Sequence, residues 1–145
     1  MLCSLSRRRP VLRAGGVLLV LFLAGCGDSR KTVYPVQGRV LDADGKPAAG
    51  AKVIFYPLDD KDPGAGHPVA IVDDTGSFAL TTYNKGDGAP AGNYAVTIEW
   101  RPQRETPFSP TPEDKLKGRF ATASKSPFKA TIAKEPTTLE PFRLD

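Results

Sequence analysis

The chain has 145 residues, with 20 Lys+Arg against 16 Asp+Glu, two cysteines and one histidine, a length that suits one modest domain and excludes a large multidomain enzyme. A single histidine rules out His-rich metal sites and His-paired dyads, so any imidazole chemistry would depend on His67 alone. The excess positive charge lies in the first 25 residues: with Arg7, Arg8, Arg9 and Arg13 set aside, 16 basic residues face 16 acidic ones, and the basic footprint of a nucleic-acid binder is absent.

Residues 1–25 divide into a positive region ending at Arg13, an apolar run Val17-Leu18-Leu19-Val20-Leu21-Phe22-Leu23, and the small pair Ala24-Gly25 before Cys26. That order is the pattern of a secretory signal. As a helix, 14–24 would span about 16 Å, well short of the hydrocarbon core of a bilayer, so it does not read as a permanent span. Leu23-Ala24-Gly25-Cys26 resembles the bacterial lipobox. That resemblance implies a diacylated Cys26 that becomes the new amino terminus and is usually acylated again, and a membrane partner reached through that lipid. Two or three acyl chains hold a protein on a bilayer where one binds only reversibly. In two-membrane bacteria, Gly27 in place of an Asp after the cysteine implies the outer membrane, on its periplasmic face or at the cell surface. Ser6-Arg7-Arg8-Arg9-Pro10-Val11-Leu12 also resembles a twin-arginine export motif, with Pro10 at the usual aromatic position; the same arginines equally serve an ordinary signal. With Cys3 lost in the leader and Cys26 lipidated, the folded domain would hold no thiol, hence no disulfide, no thiolate ligand and no cysteine nucleophile.

A short polar tether, residues 26–33, precedes a single domain over 34–145. There the apolar residues recur with period two, cut by Gly, Pro, Asp and Asn at short intervals, which predicts many short strands. Val36, Gly38 and Val40 share one face of the first strand, which stops at the turn Asp42-Ala43-Asp44-Gly45. The stretch from Pro47 to Tyr56 contains a second, with Ala51, Val53 and Phe55 on one face and Lys52, Ile54 and Tyr56 on the other. A third runs from Val69 to Val72, and Asp73-Asp74-Thr75-Gly76 predicts a hairpin into Ser77-Phe78-Ala79-Leu80. Tyr94, Val96, Ile98 and Trp100 form the clearest half-buried strand. Phe128, Ala130 and Ile132, then Leu139, Phe142 and Leu144, supply the last two, and Pro141 should lie at an edge or in a bulge. About seven short strands without a helical stripe predict an all-β fold, a single Greek-key β-sandwich. The proline-rich stretch from Arg101 to Glu113 reads as a long loop.

Val36-x-Gly38-x-Val40, Asp44-Gly45-Lys46-Pro47-x-x-Gly50-Ala51-x-Val53-x-Phe55, Asp74-x-Gly76-x-Phe78 and Gly92-x-Tyr94-x-Val96 together resemble the carboxypeptidase-regulatory-like, transthyretin-like β-sandwich. The stretch Thr81-Thr82-Tyr83 to Gly92-x-Tyr94, with Pro141-Phe142-x-Leu144, resembles small bacterial lipoproteins. The resemblance implies a noncatalytic accessory domain at an envelope surface. Transthyretin-like enzymes use several histidines, and this chain offers one.

The candidate chemistry is sparse. His67, between Gly66 and Pro68, lacks a recognisable orienting partner and nucleophile, and reads as a loop histidine. Asp59, Asp60 and Asp62, or Asp42 with Asp44, supply the hard oxygens calcium prefers without the length or distal Glu of a calcium loop, and read as turn acids. Gly86-Asp87-Gly88-Ala89-Pro90-Ala91-Gly92 leads into a strand and not a helix, which argues for a tight crossover over a phosphate site. Tyr94 carries the spacing of a tyrosine corner. Among Tyr34, Tyr56, Tyr83 and Trp100, the inward phase of Trp100 assigns it to the core, while Tyr56 and Tyr83 are the candidate ligand surface for a polysaccharide or an envelope protein. An isopeptide crosslink from Lys52 to Glu99 is disfavoured by the outward phase of Lys52. No cofactor, metal site or catalytic residue is expected; Cys26 is the one residue given a chemical role.

Overall fold

The computed structural model describes residues 30–59 and 66–145; Cys26 and the loop acids Asp60 and Asp62 lie outside the described residues. The described residues hold no helix and ten strands: β1 (Val33–Tyr34), β2 (Val36–Asp42), β3 (Lys52–Pro57), β4 (Val69–Ile71), β5 (Ser77–Ala79), β6 (Ala89–Pro90), β7 (Gly92–Glu99), β8 (Lys129–Ile132), β9 (Thr137–Thr138) and β10 (Phe142–Leu144). Two four-stranded sheets make an all-β sandwich. One has the order β10-β2-β5 with β9 also on β2, the other β4-β3-β7-β8, and β1 pairs β6 apart from both. The seven strands longer than two residues are the seven that period-two patterning predicts, with shifted ends. Pro47 makes only a single bridge to Leu41, and β10 starts after Pro141.

The core lies between the two sheets and follows from the alternation. Val36 and Val40 of β2 point inward with Gly38 between them, facing Val53 and Phe55 of β3 and Tyr94, Val96 and Ile98 of β7. Phe55 is the hub, its ring centroid 6.4 Å from Phe78, 5.8 Å from Tyr94 and 6.4 Å from Phe142. Complete burial of such a side chain contributes about 1.5–3 kcal/mol. Gly38 is the cross-strand partner of Phe78, and a Cβ there would lie 2.5 Å from that ring, so the glycine lets the ring lie flat over the strand.

Three features depart from the expected topology. The Asp73–Gly76 turn forms as predicted, closed by Asp73 Oδ1 accepting from the N–H of Thr75 (2.8 Å) and of Ser77 (3.0 Å). The flanking strands, however, join different sheets: β4 pairs β3 and β5 pairs β2. Between β4 and β5 the ladder closes at Asp73–Ser77 and at the Val69–Thr81 bridge but not between them. Phe78 packs beneath β2 while Ala70 turns inward from β4, so the hairpin straddles the two layers and its middle opens. Second, β9 and β10 run parallel to β2, with Thr138 beside Gln37 and Phe142 beside Val40; the later strand has one extra residue there, and Pro141 occupies the resulting bulge. Third, β8 covers only the first half of β7. Beyond it, Val96 N–H donates to Phe128 O, Ile98 N–H to Phe120 O, and Lys115 N–H to Trp100 O, so a run of turns replaces a strand along that edge.

Candidate functional site

β7 begins beside β6 and ends at Glu99, and its eight residues separate the two ends of the sandwich by about 27 Å. The chain enters at the first end. There β1 pairs β6 with Val33 opposite Pro90 and Tyr34 opposite Ala89, the Lys31 N–H donates to Tyr83 Oη at 3.1 Å, and the Arg30 guanidinium lies 5.5 Å from the centre of the Tyr83 ring. Gly88, at φ 98°, makes the approach possible, since a Cβ would fall 1.7 Å from Tyr34 O.

The loop presenting Tyr83 is held by Asp87, whose carboxylate accepts from the N–H groups of Thr82 (2.8 Å), Tyr83 (3.0 Å) and Asn84 (2.8 Å). Burial pushes the Asp87 carboxyl up, but those donors outweigh it and hold its pKa below the usual carboxylate range. The glycine-rich stretch is thus the tight crossover its sequence predicts, and it also fastens the incoming chain. Tyr94 Oη donates to Pro90 O at 2.8 Å, a tyrosine corner as the spacing predicts, and burial, with a lesser push from Tyr83, raises the phenol to about 12.

The two aromatic residues of the predicted ligand surface therefore have distinct surroundings. Tyr83 grips the chain's own entering segment. Tyr56 lies half-buried on the outer face of β3, its ring centroid 4.4 Å from that of His67. Two positions further along the same face, Asn93 donates to Asp59 Oδ2 at 2.9 Å and accepts from Thr131 Oγ1 at 2.8 Å. Neither Tyr56 nor Tyr83 lines the cleft of about 240 Å³ at this end, which is walled by Pro57, Pro68, Pro90 and Tyr94. Tyr34 is half-buried. Trp100 donates from Nε1 to Ala49 O at 2.8 Å and carries the Lys115 ammonium 4.4 Å from its ring centre, so one face is already covered. Asp42 accepts from the Asp44 and Lys46 N–H groups at 2.9 and 2.8 Å, as a turn acid does. Among the described residues no three His, Cys, Asp or Glu side chains gather as metal ligands would. Lys52 and Glu99 are cross-strand neighbours, but Glu99 is ion-paired with Arg101 at 3.1 Å.

The opposite end is organised by a residue that the sequence reading passed over. Asp114, only 8 % exposed, accepts from the Trp100 and Leu116 N–H groups on Oδ1 (2.8 and 3.0 Å) and from Gly118 N–H on Oδ2 (3.0 Å). Burial raises its pKa, yet the donors from Leu116, Trp100 and Gly118, helped by Arg101, hold it low. It ties together both roots of the loop from Arg101 to Glu113. That loop braces itself: Arg101 Nη1 donates to Pro112 O at 3.0 Å, Arg104 donates to Thr111 Oγ1, and Ser109 N–H donates to Thr106 O at 3.1 Å. At its tip Phe108 is 97 % exposed. An apolar residue between two prolines in a predicted loop was the available signal for Phe108; Asp114 had none, because its donors come from residues on both sides of a long loop.

No family model matches the chain, and no curated protein matches it. Two solved structures are similar to it. The major pilin subunit of Bacillus cereus has 12% identity and a TM-score of 0.43, over 77% of this chain and 29% of that one. A 9R-lipoxygenase from Cyanothece PCC8801 has 10% identity and a TM-score of 0.40, over 77% of this chain and 16% of that one. The chain thus spans less than a third of either.

Proposed function

We propose that this chain is an exported β-sandwich of the carboxypeptidase-regulatory-like type, lipid-anchored through Cys26, that acts without catalysis as a binding or structural module at the cell envelope, with the outer membrane favoured. The observation that carries the reading is the polarity of the domain. Its amino-terminal segment is clamped at one end by Tyr83 and β6, while the self-braced loop with Phe108 leaves from the other. Cys26 precedes Arg30 by four positions, a reach of about 14 Å when extended. An anchored domain would stand with its clamped end against the bilayer and present the loop away from it. The carboxylates of Asp73, Asp87 and Asp114 are engaged by backbone donors, which supports roles in shaping loops over roles as acids or bases. The test is fractionation of cells expressing the full chain or its Cys26→Ser variant. The wild type should sediment with membranes and the variant should appear in the soluble fraction; equal retention of the two would overturn the anchor.

A second reading, carbohydrate binding, is favoured by the Tyr56–His67 ring pair beside the Asp59–Asn93–Thr131 hydrogen-bond chain. An aromatic face next to amide and carboxylate groups is suited to a sugar ring. Saturable saccharide binding lost in Tyr56→Ala and kept in Tyr83→Phe would carry this reading; no binding to envelope polysaccharide would remove it.

A further inference from the structure

Two of the three large apolar side chains that the described residues expose are Phe108 and Ile71, and they sit on a projection and beside a recess. The projection is the loop tip, which Pro107 and Pro110, the Thr106–Ser109 turn and the Arg101 and Arg104 braces hold in one shape. The recess is the opening between β4 and β5, of about 550 Å³. Ile71 and Ala79 stand at its mouth, Ala70 and Phe78 lie deeper, and Asp73 and Lys85 are at its margin. Because the ladder is open between its two closures, the backbone groups of Ile71 and Ala79 that face each other across it stay available to a visitor.

We propose that the Phe108 tip of one copy docks in the β4–β5 recess of another, so that anchored copies associate side by side. Three observations favour a second copy as the occupant. Glu105 behind the tip complements Lys85 at the margin of the recess, while Arg104 and Asp73 are engaged within their own loops. The chain after residue 25 is formally neutral, which minimises repulsion between copies. Lys52 pairs both with Ile71 and with Glu99, which places the Ile71 end of the recess level with the root of the loop. In copies standing parallel on one bilayer, an arrangement that rests on the proposed anchor, the root of the loop of one would lie at the height of the Ile71 end of the recess of the next. Tip and recess are different surfaces, so the contact is heterologous and propagates into rows rather than closing a symmetric dimer.

The experiment is disulfide trapping of the full chain in its native membranes, using Ser109→Cys, which leaves Phe108 and the Ser109 N–H bond to Thr106 O in place, and Ala79→Cys. The predicted mature domain has no thiol of its own to compete. Co-expressed single variants should give a crosslinked dimer and the double variant a ladder, each reduced about tenfold by Ile71→Lys, the loss expected when one apolar anchor is spoiled. Monomer alone would overturn the proposal. So would a Ser109→Cys homodimer as abundant as the mixed pair, which reports chance collision, or a Ser109→Cys adduct to a different protein, which assigns the tip to another partner. A circular-dichroism spectrum matching wild type confirms that each variant is folded. Repeating the trapping with purified Cys26→Ser protein at high concentration separates the two proposals: a crosslink there supports the contact whether or not the anchor exists, and its loss there overturns the contact alone.

Discussion

Removing the Asp114 carboxylate should cost more than its place at the edge of a loop suggests. Asp114→Ala leaves three backbone donors, those of Trp100, Leu116 and Gly118, without their acceptor. The first two are shielded, Leu116 being buried and Trp100 half-buried. At about 1–2 kcal/mol for each shielded donor left unpaired, the loss is about 2–4 kcal/mol. Asp114→Asn keeps one oxygen for two of the donors but sets its amide against Gly118 N–H, and should cost about 1–2 kcal/mol.

The sign of the pH dependence follows from the depressed folded-state pKa. The stabilisation is complete above the unfolded carboxylate value of about 4 and is lost as pH falls through the lower folded value. Urea unfolding followed by Trp100, the sole tryptophan, at pH 7 and at pH 3 measures both effects. The difference between wild type and Asp114→Asn should shrink at the lower pH, while Asp73 and Asp87 act equally on both proteins. A difference below about 0.5 kcal/mol at pH 7, the ordinary scatter of a surface substitution, or one that does not change with pH, would refute the assignment of Asp114 as the tie between the loop roots.

Other consequences are as direct. Gly88→Ala would drive a Cβ into Tyr34 O, so β1 should leave β6; amide exchange at Val33 and Tyr34 should accelerate while the β3–β7 ladder stays protected, and unchanged exchange would contradict the clamp. Tyr94→Phe removes one hydrogen bond to Pro90 O and should cost about 1 kcal/mol in chemical unfolding. With the folded phenol raised to about 12, the hydroxyl's contribution is complete below the unfolded value of about 10 and declines as pH rises through 12, so the tyrosinate absorbance that Tyr94→Phe removes from a spectrophotometric titration should be a part that develops near pH 12. Gly38→Ala forces the Phe78 ring off β2 and should lower stability by about 1–3 kcal/mol; a neutral result would mean that the ring has room elsewhere in the core.

The period-two apolar pattern was enough to place the long strands, because large inward residues recur at every second position, as Val53 and Phe55 do in β3 and Val96 and Ile98 in β7; β7 is not half-buried as expected, since Ala95 and Thr97 on its other face are buried too. The tyrosine corner and the Pro141 bulge were legible for the same reason: each rests on spacing within a few residues. Contacts between distant segments left no local trace. Tyr83 meets Lys31 52 positions away, and nothing around either residue announces the pairing, so Tyr83 read as a surface aromatic. The Asp73–Gly76 turn is a hairpin signal of the right chemistry, but a turn cannot say that its two strands will part into separate layers; that is decided by which sheet takes Ala70 and which takes Phe78. Likewise the stretch 114–128 lacks alternation because it borders β7 through single hydrogen bonds rather than as a strand.

The proposed anchoring requires a chain that begins at a lipidated Cys26 and stands on a bilayer by its clamped end. Intact mass spectrometry of the protein extracted from membranes tests it most directly. The extracted protein should be a chain starting at Cys26 whose mass exceeds that of the polypeptide by a diacylglyceryl group, with or without a third acyl chain, all of it on the amino-terminal peptide. A mass matching the unmodified polypeptide, with a free thiol at Cys26 or the leader still attached, would contradict it.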